Sequence, residues 1–134
     1  MKILLDTNVV LDLLMQREPF YNDAVKIFDK IEAKEYKAYL CATTITTIHY
    51  LLSKHASKQQ AKSSINVLLE LFDIAPVNKK VLQLADSIDF KDYEDGVLYA
   101  SAKSIEVDAI ITRNEKDFKK SDIPVYSPSA FIGK

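Results

Sequence analysis

Near the start of the chain, Ile3, Leu4 and Leu5 form an apolar run that stops abruptly at Asp6-Thr7-Asn8. A strand without polar alternation must be covered on both faces, which is the condition of a parallel sheet held between helical layers. The residues that end it are a carboxylate, a hydroxyl and an amide, and in open parallel sheets ligands bind in the crevice beyond the carboxyl ends of the strands. Asp6 and Asn8 are also favoured N-cap residues, so capping of a helix that begins near Val9 is the plainer alternative.

The remaining periodicities extend this reading. Val9 to Met15 reads as a short helix, followed by a longer one that Pro19 opens and that carries Ala24, Val25, Ile27, Phe28 and Ile31 through about Lys34. A second strand is expected over Ala38 to Ala42. Thr43 or Thr44 is then expected to cap a helix through Ile45, Ile48, Leu51 and Leu52. Ser57 or Lys58 opens another, with Ile65, Leu68, Leu69 and Leu71 inward, before a third strand within Phe72 to Val77. Lys80 to Ile88 is amphipathic through Val81, Leu82, Leu84, Ala85 and Ile88. Glu94 to Ile105 is a helix made thin on one side by Gly96, Ala100, Ser101 and Ala102, which suits close approach to a sheet. Val107 to Thr112 is a fourth strand, Lys116 to Lys119 a single helical turn, and Ile123 to Tyr126 a fifth strand placed at an edge because it contains Pro124. Ser127-Pro128-Ser129 starts a terminal turn or short helix. Five short apolar strands separated by helices require right-handed crossovers. The expected fold class is therefore α/β, a three-layer α/β/α arrangement with a mainly parallel five-stranded sheet, formed as one domain over residues 1–134.

Composition narrows the function classes. With 134 residues, 48% hydrophobic and 28% charged, the chain has globular proportions and enough length for a core without staples. No apolar run is long enough to span a bilayer and Asp6 comes too early for a signal peptide, so no membrane and a cytoplasmic location are expected. Cys41 is the sole cysteine, which excludes an intrachain disulfide and fits a buried filler. The net charge of −1 gives no uniform basic field, although lysines cluster locally, as at Lys116, Lys119 and Lys120. Most such clusters are solvated helix faces. The glycine-rich turn of a dinucleotide site and the GxxxxGK[ST] of a P-loop are both absent after the first strand. His49 and His55 lie in helical contexts that suggest no hydrolase triad.

What converges is carboxylate. Asp6 ends the first strand, Asp95 begins the helix before the fourth, and Asp117 follows the end of the fourth, so all three can reach one crevice. Two carboxylates about 4 Å apart repel by roughly 4 kcal/mol at an effective dielectric of 20, so such a site calls for a compensating cation. Oxygen-only ligands suit Mg²⁺ or Mn²⁺. Each acid also has a simpler explanation, Asp92-x-x-Asp95 as a helix-start pattern and Asn114-x-x-Asp117 as a loop cap. Their placement at matching points of the fold favours a site.

Leu4-Leu5-Asp6-Thr7-Asn8, Glu94-Asp95 and Ile111-Thr112-Arg113-Asn114-Glu115-Lys116-Asp117-Phe118 together resemble the PIN-domain ribonucleases, many of which are toxins of the VapC type. The resemblance spans nearly the whole chain. It implies that Asp6, Asp95 and Asp117 form an acidic metal site, with Asn8, Thr112, Asn114 and Glu94 as supporting or substrate-positioning residues. It also implies Mg²⁺- or Mn²⁺-dependent endonucleolytic cleavage of an RNA substrate by a homodimer held inactive by an antitoxin protein. One departure stands out. The family usually carries a further glutamate on the helix after the second strand, where this chain offers Thr47 or His49, depending on register; Glu94 or Asp92 would have to compensate. Flanking lysines such as Lys116 and Lys119 are expected to hold the RNA backbone.

Two other readings follow from the same residues. One is a PIN-like module that binds RNA or a protein partner with weak or no catalysis. The other is a phosphatase with Asp6 as nucleophile, in the manner of haloacid-dehalogenase-like proteins, which would need an aspartate where Asn8 stands.

Overall fold

A computed structural model describes residues 1–133. Its five strands, β1 (Lys2–Leu5), β2 (Lys37–Cys41), β3 (Asp73–Ala75), β4 (Ala109–Ile111) and β5 (Val125–Tyr126), lie in the order β3-β2-β1-β4-β5. Every ladder is parallel, and β1 is the middle strand, with Leu5 opposite Leu40 on one side and Ile111 on the other. β5 is an edge strand, as expected, but it begins at Val125 rather than Ile123, so Pro124 precedes it and joins the ladder only through its carbonyl, which accepts the Ile110 N–H at 2.9 Å.

Both faces of the sheet are covered, which accounts for the unbroken apolar runs. Ile3, Leu5, Leu40 and Ile111 point into one core together with residues of α1 (Thr7–Leu14), α2 (Tyr21–Glu32), α3 (Ala42–His55), α4 (Lys58–Leu71) and α7 (Pro128–Ile132). Leu4, Tyr39, Cys41 and Ile110 point to the opposite face, against Leu98, Tyr99 and Ala102 of α6 (Tyr93–Ser104). Outside α6 lies α5 (Lys79–Ile88), whose Val81 and Ala85 meet Val97 and Ala100. Gly96 lets Phe90 pack close to α6: a Cβ there would stand a tight 3.3 Å from Phe90 Cβ, while the Ala85 carbonyl oxygen of α5, at 3.6 Å, would be in ordinary contact. A 3-10 turn, Glu115–Phe118, follows β4 and inserts Phe118 beneath Phe90.

Three local expectations are corrected. α3 begins at Ala42, two or three residues earlier than a Thr43 or Thr44 cap would allow, and its N-cap residue is Cys41 with no side-chain cap. The hydroxyl of Thr44 is instead buried and lies 2.9 Å from that of Thr7. Leu69 and Leu82 face solvent at 49% and 39% exposure, because Leu68 and Val81 already fill the inward positions beside them. Ser57 does cap α4, accepting the Gln60 N–H at 3.0 Å. Among the described residues no helix is long and apolar enough to cross a membrane.

Candidate functional site

Because β1 is central, its carboxyl end meets those of β2 and β4, and Asp6 is drawn into the junction: its N–H donates to the Ile111 carbonyl at 2.9 Å. Asp6 does cap α1, with Oδ1 accepting the Thr7 N–H at 2.7 Å. Its second oxygen is used differently. Oδ2 accepts the Thr112 hydroxyl at 2.8 Å, and that hydroxyl in turn accepts the Asn114 N–H at 3.0 Å, which fixes the direction in which Thr112 donates. The Asn8 amide nitrogen stands 3.4 Å from both Asp6 Oδ2 and Thr112 Oγ1, while its oxygen accepts the Arg113 N–H at 3.3 Å. Capping and site geometry are thus both served by Asp6, one oxygen for each.

Across from Asp6, the first turn of α6 contributes Asp95 and Glu94. These three acids share a small cavity of about 100 Å³ with Leu98 and a wall of threonines, Thr7, Thr43, Thr44 and Thr47. Asp92 is the N-cap of α6 and accepts the Glu94 N–H at 2.8 Å, so its role as a helix-start residue holds. Asp117 sits on the exposed 3-10 turn and faces a neighbouring groove rather than this cavity. Its charge is still felt: it is among the causes that raise the proton affinity of both Asp6 and Asp95. Asn114 reaches the network through its backbone N–H alone.

The electrostatics are those of crowded, partly desolvated carboxylates. Burial is the main cause pushing Asp6 above the ordinary carboxylate range, opposed by the Thr112 and Thr7 hydrogen bonds. Asp95 is pushed up to about 7, first by desolvation and then by the charges of Asp6, Asp92, Asp117 and Glu94. The oxygen-only donors suit a hard divalent cation in kind, and a cation would relieve this repulsion. Among the described residues, however, no three His, Cys, Asp or Glu side chains are gathered closely enough to hold an ion. A ligand set built here would pair Asp6 with Asp95 and draw on Glu94, Asp117 or water.

The two register candidates on α3 separate clearly. Thr47 lines the acidic cavity, whereas His49 is exposed, its ring Nδ1 3.5 Å from the Ser53 hydroxyl on the same helix. The wall facing Asp6 therefore carries hydroxyls where a carboxylate was sought. Thr43 and Thr47 are four apart on one helix, a spacing that could have announced a polar stripe.

A second cluster escaped sequence reasoning. Asp12, 1% exposed, is gripped by Arg113 through Nε–Oδ2 at 2.6 Å and Nη2–Oδ1 at 3.2 Å, and by Arg17 through Nε–Oδ1 at 2.9 Å. Arg17 also donates to the Asn8 carbonyl at 3.2 Å, and the Arg113 guanidinium lies 3.9 Å from the Phe20 ring centre. Through Asp12, Arg113 ties α1 to the segment after β4, and Arg17 adds a bond to the Asn8 carbonyl. Asn8 and Asp12 are one helical turn apart, the only trace of this in the sequence.

Comparison with known proteins agrees with the geometry. The PIN domain family matches residues 2–116, a stretch that includes Asp6 and Asp95 and ends one residue short of Asp117. Ribonuclease VapC1 of Aquifex aeolicus is 30% identical over 135 residues, covering 97% of this chain and 92% of that protein. Among solved structures, FitAcB from Neisseria gonorrhoeae aligns with a TM-score of 0.73 at 24% identity, covering 95% of this chain and 98% of its own. A toxin-antitoxin complex from Klebsiella pneumoniae aligns with a TM-score of 0.71 at 23% identity, covering 94% and 97%. With a central β1 delivering Asp6 to α6, and a family match over most of its length, the chain belongs to the PIN-domain family.

Proposed function

We propose that this protein is a metal-dependent endoribonuclease and the toxin of a toxin-antitoxin pair. The observation that carries the reading is the facing of Asp6 and Asp95 across one cavity at the carboxyl end of the sheet, with Asp95 held near pH 7 by burial and like charge. It is supported by the ribonuclease activity named for the relative with 30% identity and by the toxin-antitoxin complex named among the structural neighbours. In this reading the protein acts in the cytoplasm as a homodimer restrained by an antitoxin protein.

In this reading Asp6 and Asp95 hold Mg²⁺ or Mn²⁺, with Asp117 and Glu94 contributing directly or through water. When bound, the ion supplies a water of lowered pKa and neutralises charge growing on the phosphodiester. The chain's own part is positioning. Thr112 and the Thr7 N–H hold the Asp6 carboxylate in one orientation, and Asn8 lies beside it with an amide that can orient water or a phosphate oxygen. Asn114 fixes Thr112 through its backbone.

A binding module with weak catalysis is the second reading, favoured by Thr47 on the cavity wall and by the lack of a three-ligand cluster among the described residues. Incubation with structured RNAs separates the two. Cleavage is expected with Mn²⁺ or Mg²⁺, abolished by chelator, and reduced about a hundredfold or more in Asp6→Asn and Asp95→Asn. RNA retained but uncut in every metal supports the binding module. Cleavage that survives chelator and both substitutions overturns the nuclease assignment.

A further inference from the structure

Beside the acidic cavity lies a larger groove of about 400 Å³, lined by Lys91, Lys116, Lys119 and Lys120 over Phe90, with Asp117 as its one acid. In a chain of net charge −1, four ammonium groups around one concavity form a local field of the opposite sign. Their bonding is uneven. Lys120 is anchored, donating from Nζ to the Asp89 carbonyl at 2.7 Å, while Lys91, Lys116 and Lys119 make no hydrogen bond or ion pair through their side chains among the described residues. Among the described residues unpaired lysines also occur elsewhere on the chain, as at Lys58 and Lys62; what sets these three apart is that they converge on one opening.

The groove lies close to the site, since the charge of its Asp117 acts on both Asp6 and Asp95. One wall comes from Phe90 and Lys91, whose segment leads on to Glu94 and Asp95 of the cavity, and the other from the Lys116 to Lys120 segment, which follows Thr112 in the chain. The first segment thus runs from Lys91 to the cavity acids Glu94 and Asp95, while the second sets Asp117 among Lys116, Lys119 and Lys120. Phe90 is 9% exposed, stacked on Tyr99 and met edge-on by Phe118, so its ring forms a floor and offers no face to a base.

We propose that this groove is a phosphodiester-binding track that holds the single-stranded RNA flanking the cut, gripping its backbone without reading its bases. The inference rests on the nuclease reading and adds to it a place and a mode of substrate binding: electrostatic, sequence-neutral, and on one side of the acidic centre. Lys91, Lys116 and Lys119 engage successive phosphates, and Lys120 buttresses the wall from its bond to Asp89. For single strands the salt slope of binding is about −0.7 per phosphate neutralised, so three lysines account for roughly two units.

The test is fluorescence anisotropy with oligo-U and oligo-A RNAs of about ten nucleotides in chelator, so that nothing is cut, across a range of salt. Lys91→Gln/Lys116→Gln/Lys119→Gln is compared with wild type, with the matching arginine triple, and with Lys54→Gln/Lys58→Gln/Lys62→Gln, which changes net charge equally on α3 and α4. The groove glutamine triple is expected to bind both RNAs at least about tenfold more weakly at 0.1 M salt, with a slope shallower by about two. The arginine triple and the α3–α4 triple are expected to stay within about threefold of wild type. Equal loss in the two glutamine triples, or no loss in the groove triple while wild type binds, overturns the track and leaves the nuclease reading standing. Failure of wild type to bind or cut any RNA overturns both.

Discussion

Asp95 concentrates the tension of this site in one side chain. Its carboxyl is pushed up to about 7 from an ordinary value of 3.8, chiefly by desolvation and next by Asp6. The folded chain therefore holds this proton more tightly than the unfolded chain does. The sign follows by linkage: between about pH 4 and 7 the native state binds more protons, so stability falls as pH rises through that window and the full penalty stands above 7. Asp95→Asn removes the charge without changing the shape. In chelator at pH 8 it is expected to raise Tm by roughly 2 to 4 °C, a modest figure because Asp95 is partly solvated. At pH 4.5 calorimetry should find no gain. A lower Tm at pH 8 than wild type would show that the carboxylate is stabilised where it stands.

At the scale of elements, the site depends on how α1 is fastened to the end of β4. Arg113 supplies two hydrogen bonds to the fully buried Asp12, and its own N–H holds Asn8. Arg113→Ala leaves Asp12 with Arg17 alone and is expected to cost about 2 to 3 kcal/mol in urea unfolding, with an unchanged m-value. A loss under about 0.5 kcal/mol would mean that the pair contributes no more than a surface bridge. This tie shows where sequence reasoning reached its limit. Strands β1, β2 and β4 were legible as apolar runs because a sheet covered on both faces demands them. Asp12 was hidden in the apolar stretch Val9 to Met15, since its main partner lies 101 positions away. The start of α3 was misplaced for a related reason: Thr43 and Thr44 look like capping residues, but their hydroxyls turn to Cys41 and Thr7. For Thr44, local preference gave way to a contact with the neighbouring helix α1.

Taken as a whole, the molecule separates its charges within one end of the sheet, acids in a tight cavity and lysines along the groove next to it. The strand order produces this, because β1 between β2 and β4 sends Asp6, the α3 threonines and the Thr112 segment to one rim, where α6 supplies Asp95. Crossover handedness predicted a parallel sheet but not which strand would be central, so the convergence of Asp6 and Asp95 was an expectation and the offset of Asp117 was not foreseen. The central claim is that these two distant aspartates bind one divalent ion, and Mn²⁺ titration followed by electron paramagnetic resonance addresses it directly. At pH 7.5 wild type is expected to bind one Mn²⁺ per chain, displaced by Mg²⁺, with affinity at least about tenfold weaker in Asp6→Asn and in Asp95→Asn. Equal Mn²⁺ affinity in wild type and both variants, or RNA cleavage by a protein that binds no Mn²⁺ at all, would contradict it.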